Sequence, residues 1–207
     1  MYHPMKLYQD KYAPNPRRVR VFLAEKGVDD VELETVEIAK KQNRSDNFLR
    51  MNPLGQVPVL ELSDGRLLCE SMAICRYFEA LFPEPALFGT EPFELATIEQ
   101  WNRRAELEFL YSIGETFRHT HAFWNGRIDQ IPEYGELSRA RAMRAMTWFD
   151  QELATREYVA GDSFSVADIT AFCAIDFGRI CQIRVSDDHE NLTRWYAAMK
   201  QRPSAGA

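Results

Sequence analysis

Four residues, Phe82-Pro83-Glu84-Pro85, divide this chain into two parts with different patterns of apolar residues. A proline has no backbone N–H and a fixed φ, so a Pro-X-Pro segment cannot continue a helix or a central strand. Before it, short apolar runs alternate with helix-like periodicity; after it, the periodicity is helical. We therefore predict a first domain over residues 1–82, a linker over 83–91 and an all-helical domain over 92–207.

The first part predicts the order strand–helix–strand–helix–strand–strand–helix. Asn15 is a suitable N-cap for the first helix, Pro16 suits its first position, and Gly27 ends it. Asp64-Gly65 is a turn dipeptide between the last two strands. A parallel strand pair closed by a hairpin gives a compact α/β arrangement. Strands are predicted over 5–8, 31–38, 57–62 and 67–68, and the later helices over 45–51 and 70–81.

The second part predicts four helices, and the start of the third is the most sharply defined. Ser165 and Asp168 have the spacing of a capping box, and Phe164 and Ile169 that of a hydrophobic staple. The helices are predicted over 92–119, 136–155, 166–180 and 189–201.

Composition excludes several classes of partner. The net charge of -6 argues against nucleic acid, because phosphate binding needs a basic surface. The apolar runs fall short of the ~20 residues that span a bilayer. The start of the chain has no apolar stretch of signal-peptide length, so we expect a cytoplasmic protein without a membrane partner. The cysteines form no CxxC pair and no cluster with the histidines, so we expect buried thiols, no disulfide and no metal. They are Cys69, Cys75, Cys173 and Cys181.

Three segments carry a family resemblance. Residues 52–58 read NPLGQVP, residues 70–77 read ESMAICRY, and residues 161–168 read GDSFSVAD. In this order and spacing they resemble the N-P-x-G-x-V-P loop, the E-S-x-A-I-x-x-Y helix start and the helical-domain folding motif of the cytosolic glutathione transferases. The resemblance, to the bacterial type, covers the whole chain. It implies a thioredoxin-like α/β domain that binds glutathione as co-substrate, an all-α domain that contributes the electrophile site, and a homodimer with no permanently bound cofactor.

The resemblance also implies the glutathione contacts. Pro58 is expected to follow a cis bond, and the Val57 backbone to pair with the cysteinyl residue of glutathione. Ser71 would donate to the γ-glutamyl carboxylate at a helix N-terminus, Glu70 would accept from the γ-glutamyl amine, and Gln56 would hold the same end. Taken singly, these residues fit ordinary helix capping and strand entry equally well.

A lysine before the second helix is implied for the glycyl carboxylate of glutathione. Lys40 or Lys41 lies at that place, and we assign Lys41. A solvated loop lysine is an equally good interpretation.

The residue that activates the thiol is not where family members carry it. Lowering a thiol pKa of ~8.5 by about two units requires roughly 2.7 kcal/mol, which one or two hydrogen bonds to the thiolate supply. The family uses tyrosine, serine or cysteine; the matching positions here are Gln9, Ala13 and Asn15. The closest resemblance is to the bacterial nu-class pattern T-P-N, with Ala13 in place of the threonine. We assign Asn15 first and Tyr12 second, with the backbone N–H groups of Asn15 and Arg17 as further donors.

Three arginines, Arg17, Arg18 and Arg20, crowd the start of the first helix, where the helix dipole disfavours positive charge. Ion pairing with carboxylates is one interpretation. An anion-attracting rim beside the glutathione site is the other.

The resemblance places the electrophile against the long first helix of the helical domain. Arg104, Glu108 and Tyr111 are our second-substrate residues, on one face with Trp101 and Glu115. The alternative is that the aromatic residues are core and that the charges form solvated pairs. We expect His119 and His121 to be surface residues, and residues 117–124 to line the pocket or a dimer contact.

The sequence thus predicts a glutathione transferase that conjugates the thiolate of glutathione to an electrophilic small molecule. A glutathione-dependent disulfide reductase or peroxidase is the alternative within enzymes. A binding protein with the same fold and no chemistry is the alternative outside them, because Ala13 occupies the serine-type position.

Overall fold

The computed structural model describes residues 4–207, which form two compact units. The first ends at Pro85 and includes Pro203–Ala207; the second is Ala86–Arg202. Residues 203–207, predicted with the helical domain, thus belong to the first unit. They are held there because Arg17 donates to the Ala205 carbonyl over 3.0 Å and the Ser204 hydroxyl donates to the Glu25 carboxylate.

The first unit has the predicted α/β thioredoxin-like architecture. Its four-stranded sheet has the order β2-β1-β3-β4, with β1 parallel to β2 and antiparallel to β3, and with β3 antiparallel to β4. The helices and strands are β1 Lys6–Gln9, α1 Pro14–Glu25, β2 Glu32–Thr35, α2 Asp46–Met51, β3 Val59–Glu61, β4 Leu67–Cys69 and α3 Ser71–Leu81. Short 3-10 turns occupy Ile38–Lys40, Gln42–Arg44 and Pro203–Gly206.

The predicted N-cap of α1 is wrong. Ala13, with φ -78° and ψ 136°, is the N-cap, and Pro14 is the first helical residue. A residue before proline is pushed into the extended region, and a proline is pre-set for the first helical position, so Pro14 rather than Pro16 starts the helix. Asn15 lies one position later, in the first turn, with an exposed side chain. Strand β2 is also shorter than predicted, over Glu32–Thr35 rather than 31–38.

A buried lysine fixes the end of α1. The ammonium of Lys26 lies 2.5 Å from the Glu79 carboxylate and donates to the carbonyls of Pro83 and Pro85. Glu79 belongs to α3, and the prolines form the segment predicted as a breaker. One side chain therefore joins α1, α3 and the residues that end the first unit.

The second unit is all-helical, as predicted. Its first long helix is continuous from 92 to 120 but contains a π-helical segment that the sequence did not predict. No helix in the described part of the chain is both long and apolar enough to cross a membrane. The helices are α4 Pro92–Arg104, the π segment Ala105–Leu110, α5 Tyr111–Thr120, α6 Pro132–Leu153, α7 Val166–Gly178 and α8 Glu190–Gln201. Further 3-10 turns occupy Ala122–Trp124 and Arg179–Cys181.

The predicted capping box at the start of α7 is present, and it is fully buried. Asp168 accepts from the backbone N–H groups of Val159 at 2.8 Å and Ser165 at 3.0 Å, from the Ser165 hydroxyl, and from the Trp195 indole at 2.9 Å. The carboxylate thus joins the start of α7 to Trp195 in α8 and to Val159 in the segment that precedes α7. Burial raises the pKa of Asp168 to about 6, although its hydrogen bonds act to lower it.

The raised pKa predicts a pH-dependent stability of the second unit. Because the pKa of Asp168 is higher in the folded state than the ordinary 3.8, the protonated group favours folding below about pH 4. That contribution disappears as the pH rises through about 6. The unfolding free energy of wild type minus that of Asp168→Asn should therefore be about 2 kcal/mol larger at about pH 4.5 than at about pH 7.5.

Tryptophan fluorescence suits this measurement, since all four tryptophans, at 101, 124, 148 and 195, lie in the second unit. Urea unfolding of both proteins at the two pH values gives the difference. An equal gap at both values would show that Asp168 titrates as an ordinary carboxylate.

Candidate functional site

The loop of residues 52–58 is braced by two buried asparagines. Asn52 donates to the Gln56 carbonyl at 2.9 Å and accepts from the Leu54 N–H at 3.1 Å, while Asn43 donates to the Gly55 carbonyl at 2.7 Å. Gly55 has φ 62°, and a Cβ there would lie 2.8 Å from the Asn43 carbonyl oxygen. The loop thus has one tightly specified path, with an exposed Gln56 side chain.

The peptide bond between Val57 and Pro58 is cis, as predicted. The pairing of Val59 with Cys69 in the β3–β4 hairpin places the residues before β3 and after β4 at the same end of the sheet. Val57-Pro58 and Glu70-Ser71 therefore lie at the same end of the sheet.

Glu70 has a strained backbone. It is the N-cap of α3 with φ 69° and ψ 116°, a conformation that costs a non-glycine residue on the order of 1–3 kcal/mol. Its exposed side chain makes no capping hydrogen bond among the described residues, which argues against ordinary helix capping. The first N–H groups of α3 thus lack a side-chain cap from Glu70, and such a helix end favours an anion.

Arg18 connects the starts of two helices. Its side chain, 2% exposed, donates from one terminal nitrogen to the Ser71 hydroxyl oxygen at 2.7 Å and to the Asn15 side-chain oxygen at 3.3 Å. Ser71 is itself 3% exposed. The predicted thiol-activating residue and the predicted carboxylate-binding residue are therefore joined through one guanidinium, a contact that the sequence did not predict.

The other two arginines of α1 point elsewhere. Arg17 donates to Ala205 in the carboxyl-terminal segment, and Arg20 donates to the Gln9 side chain at 2.5 Å and to the Lys11 carbonyl at 3.1 Å. Arg18 thus reaches the start of α3, whereas Arg17 and Arg20 line a groove whose described lining includes neither Asn15 nor Ser71.

The start of α1 also contacts the loop of residues 52–58. Ala13 is half-buried against an apolar cluster that contains Val57, so the serine-type position of the family carries a packing methyl group here. The other members of that cluster are Val36, Phe48 and Val59. Together with the Arg18 bridge, this packing places the first turn of α1 beside both predicted glutathione segments.

Few backbone donors remain in that turn. Pro14 and Pro16 have no N–H, and the Arg17 N–H bonds to the Ala13 carbonyl at 3.3 Å. Of the two backbone donors predicted from sequence, Arg17 is therefore engaged within the helix. The N–H of Asn15 is the one left, within the part of the chain that the structure describes.

The two tyrosines near the site differ in environment. Tyr12 is 83% exposed and borders a surface groove of about 790 Å³ whose described lining includes Arg17, Arg20 and residues 205–207 but neither Asn15 nor Ser71. Tyr8 donates to Glu61 at 2.7 Å, and burial, followed by that bond, raises the pKa of Tyr8 to about 12. The Tyr8 hydroxyl is thus engaged by Glu61, and the groove that Tyr12 borders does not include the residues that Arg18 contacts.

The two candidate lysines are also distinguishable. The Lys40 ammonium pairs with Glu37 at 2.8 Å, whereas Lys41 is exposed, with a left-handed backbone at φ 59°. The Lys41 side chain has no ion pair among residues 4–207, which leaves it available to a ligand.

The predicted second-substrate residues do not form one free surface. The Arg104 guanidinium stacks 4.7 Å from the Trp101 ring, and both oxygens of Glu108 accept from Arg141 on α6 at 2.8 Å. Tyr111 has a ring that is 52% exposed. Trp101 is buried, as the alternative interpretation held, whereas Glu108 pairs with a different helix rather than along its own.

The histidines near the end of α5 are half-buried and hold turns. His119 Nδ1 accepts from the Ile131 N–H at 3.0 Å, and His121 Nδ1 accepts from the Phe123 N–H at 3.1 Å. Both are less exposed than expected, and Phe117 packs between His121 and further aromatic rings. Those rings are Phe123, Trp124 and Phe177.

Known proteins resemble this chain over nearly its whole length. The family model for the glutathione S-transferase N-terminal domain matches residues 12–81, and the model for the C-terminal domain matches residues 131–203. Glutathione S-transferase 2 of Saccharomyces cerevisiae is 40% identical over 207 residues, which cover 99% of this chain and 89% of that protein.

Solved structures give the same result. The crystal structure of Gtt2 from Saccharomyces cerevisiae is 39% identical, with a TM-score of 0.93 over 97% of this chain and 98% of that one. A glutathione S-transferase of class Gtt2 from Vibrio parahaemolyticus is 35% identical, with a TM-score of 0.84 over 96% and 94% of the two chains. Both similarities extend over nearly the full length of each chain.

Proposed function

This chain belongs to the glutathione S-transferase family, and from that premise we propose which of its residues bind glutathione and activate the thiol. Membership makes it a glutathione transferase, an enzyme with glutathione as a substrate. In our proposal Ser71 donates to the γ-glutamyl carboxylate, while Glu70 and Gln56 hold the same end. The observation that carries this is the buried Ser71 hydroxyl at the start of α3, beside the braced loop.

The middle and far end of the tripeptide have their own partners in this proposal. The backbone of Val57, next to Pro58, pairs with the cysteinyl residue as a short strand addition. Lys41 holds the glycyl carboxylate, supported by the pairing of its neighbour Lys40 with Glu37.

The chemistry needs the thiolate, which attacks an electrophilic carbon. The thiol proton leaves to solvent, a carbon–sulfur bond forms, and the leaving group departs with its electron pair. Asn15 supports this step better than Tyr12 does. Its side-chain oxygen already accepts from Arg18, which leaves its NH2 group to donate, whereas Tyr12 is 83% exposed.

We keep one of the three residues that the sequence predicted for the electrophile site. Of Arg104, Glu108 and Tyr111, the first stacks on tryptophan and the second is paired with Arg141. Tyr111 retains a half-exposed ring for contact with the second substrate. Assays with an aryl halide, a hydroperoxide and a mixed disulfide distinguish conjugation from the reductase and peroxidase alternatives.

A homodimer, a cytoplasmic location and a detoxifying role complete the proposal. Beside the Glu108–Arg141 pair on their helices lie Leu107 and Leu137, with exposed fractions of 43% and 64%, a surface suited to a second copy. All four cysteines are free thiols, as in proteins of a reducing compartment.

Glutathione binding is tested by calorimetry on Ser71→Ala. Loss of a charge-assisted hydrogen bond of about 1.5–3 kcal/mol should weaken binding by about 10- to 100-fold. Ser63→Ala, an exposed serine in the β3–β4 turn, is the matched control and should bind as wild type does. No heat from the wild type at millimolar glutathione would refute the binding proposal, and equal affinities for wild type and Ser71→Ala would refute the role of Ser71.

Thiol activation is tested by titrating bound thiolate through its ultraviolet absorbance. Asn15→Ala should raise the pKa of bound glutathione by about one unit or more, since one unit equals ~1.4 kcal/mol. Tyr12→Phe should leave that pKa unchanged. Because Asn15 is not the N-cap of α1, its replacement does not remove a helix cap. A shift seen only in Tyr12→Phe would make the tyrosine the donor, and no shift in either would leave the Asn15 backbone N–H.

A further inference from the structure

Arg18 is a buried cation that lies where two helices begin. It is 2% exposed in the first turn of α1 and contacts Ser71, the first residue of α3. Burying a guanidinium carries a desolvation cost that its hydrogen bonds must offset, so these contacts hold the side chain in one position.

The hydrogen-bond polarity of the contact is fixed by chemistry. A guanidinium donates and never accepts, so the Ser71 oxygen must accept from Arg18 over the 2.7 Å contact. The Ser71 hydroxyl proton is then directed away from Arg18. In the same way, the Asn15 side-chain oxygen accepts from Arg18 at 3.3 Å, which leaves the NH2 group on the other side of the amide.

We propose that Arg18 is a positioning residue that fixes Ser71 and Asn15 as hydrogen-bond donors toward glutathione. It rests on the proposed function, since it assigns the orientation of two residues in that site. A donor at Ser71 matches a carboxylate and a donor at Asn15 matches a thiolate. One buried side chain thereby couples the binding end of the tripeptide to its reactive end.

The binding test is a double-mutant cycle measured with glutathione by calorimetry. Arg18→Met should weaken binding by about tenfold or more, and the double variant with Ser71→Ala should bind within about twofold of Ser71→Ala alone, because Arg18 acts through Ser71. Arg18→Gln should bind glutathione as weakly as Arg18→Met does. The oxygen of the glutamine amide can accept from the Ser71 hydroxyl, whose proton would then point toward residue 18 and away from glutathione. Arg18→Lys, which only donates, should lie closer to wild type.

Arg20→Met is the matched control. It removes a guanidinium two positions along the same helix whose hydrogen bonds reach Gln9 and Lys11. It should leave glutathione affinity within about twofold of wild type.

The second readout is the pKa of bound glutathione thiol, which a purely structural arginine would not move. Arg18→Met and Arg18→Gln should raise the pKa of the bound thiol, and Arg18→Lys should raise it less than either of them. If Arg18→Met melts below the assay temperature, Arg18→Gln and Arg18→Lys decide the test.

Two results would overturn the inference while glutathione binding itself survives. One is wild-type affinity and thiol pKa in the Arg18 variants. The other is a double variant whose loss of affinity is the product of the two single losses. If the wild type binds no glutathione, the proposed function fails, and this inference falls with it.

Discussion

The hydrogen bond between the Arg18 guanidinium and the Ser71 hydroxyl joins the first turn of α1 to the first turn of α3. The same guanidinium holds Asn15, and the adjacent Ala13 packs on the cluster that contains Val57. The two helix starts and the loop before β3 therefore meet at one end of the sheet. An anionic tripeptide needs donors spaced along its length, and in the proposed site these donors come from elements far apart in the sequence.

Buried asparagines and one strained residue hold the backbone in the conformation that brings these segments together. Asn43 and Asn52 donate hydrogen bonds to backbone carbonyls of the loop at residues 52–58. Glu70 keeps a strained φ of 69° at the start of α3. Strain of this kind persists only where the surroundings enforce it, and the β3–β4 pairing on one side and the α3 backbone on the other do so here.

What could be read from the sequence was local or periodic. The capping box of Ser165 and Asp168 spans one turn, and the order of helices and strands follows from apolar spacing. The sequence predicts Asn15 as the N-cap of α1 and Pro16 as its first residue, whereas the structure has Ala13 and Pro14. The two prolines suit a first helical position equally well, and asparagine is a better N-cap than alanine, so the sequence alone favours the wrong pair. The π segment within the long helix of the second unit has no signal in apolar spacing that sets it apart from an α-helix.

The contact between Arg18 and Ser71 could not be predicted from the sequence for another reason. The two residues are 53 positions apart, and periodicity cannot tell which of three neighbouring arginines is buried. Three positive charges at a helix start are an unusual feature of the sequence, and they pointed to this segment but not to the residue that contacts Ser71.

A crystal structure of the chain with glutathione bound tests directly whether Arg18 orients Ser71 and Asn15 toward the ligand. We expect a γ-glutamyl carboxylate oxygen within hydrogen-bond distance of the Ser71 hydroxyl, the sulfur within reach of the Asn15 NH2 group, and Arg18 still bonded to both residues. Glutathione bound with its γ-glutamyl carboxylate away from Ser71, or with Arg18 swung out of its buried position, would contradict it.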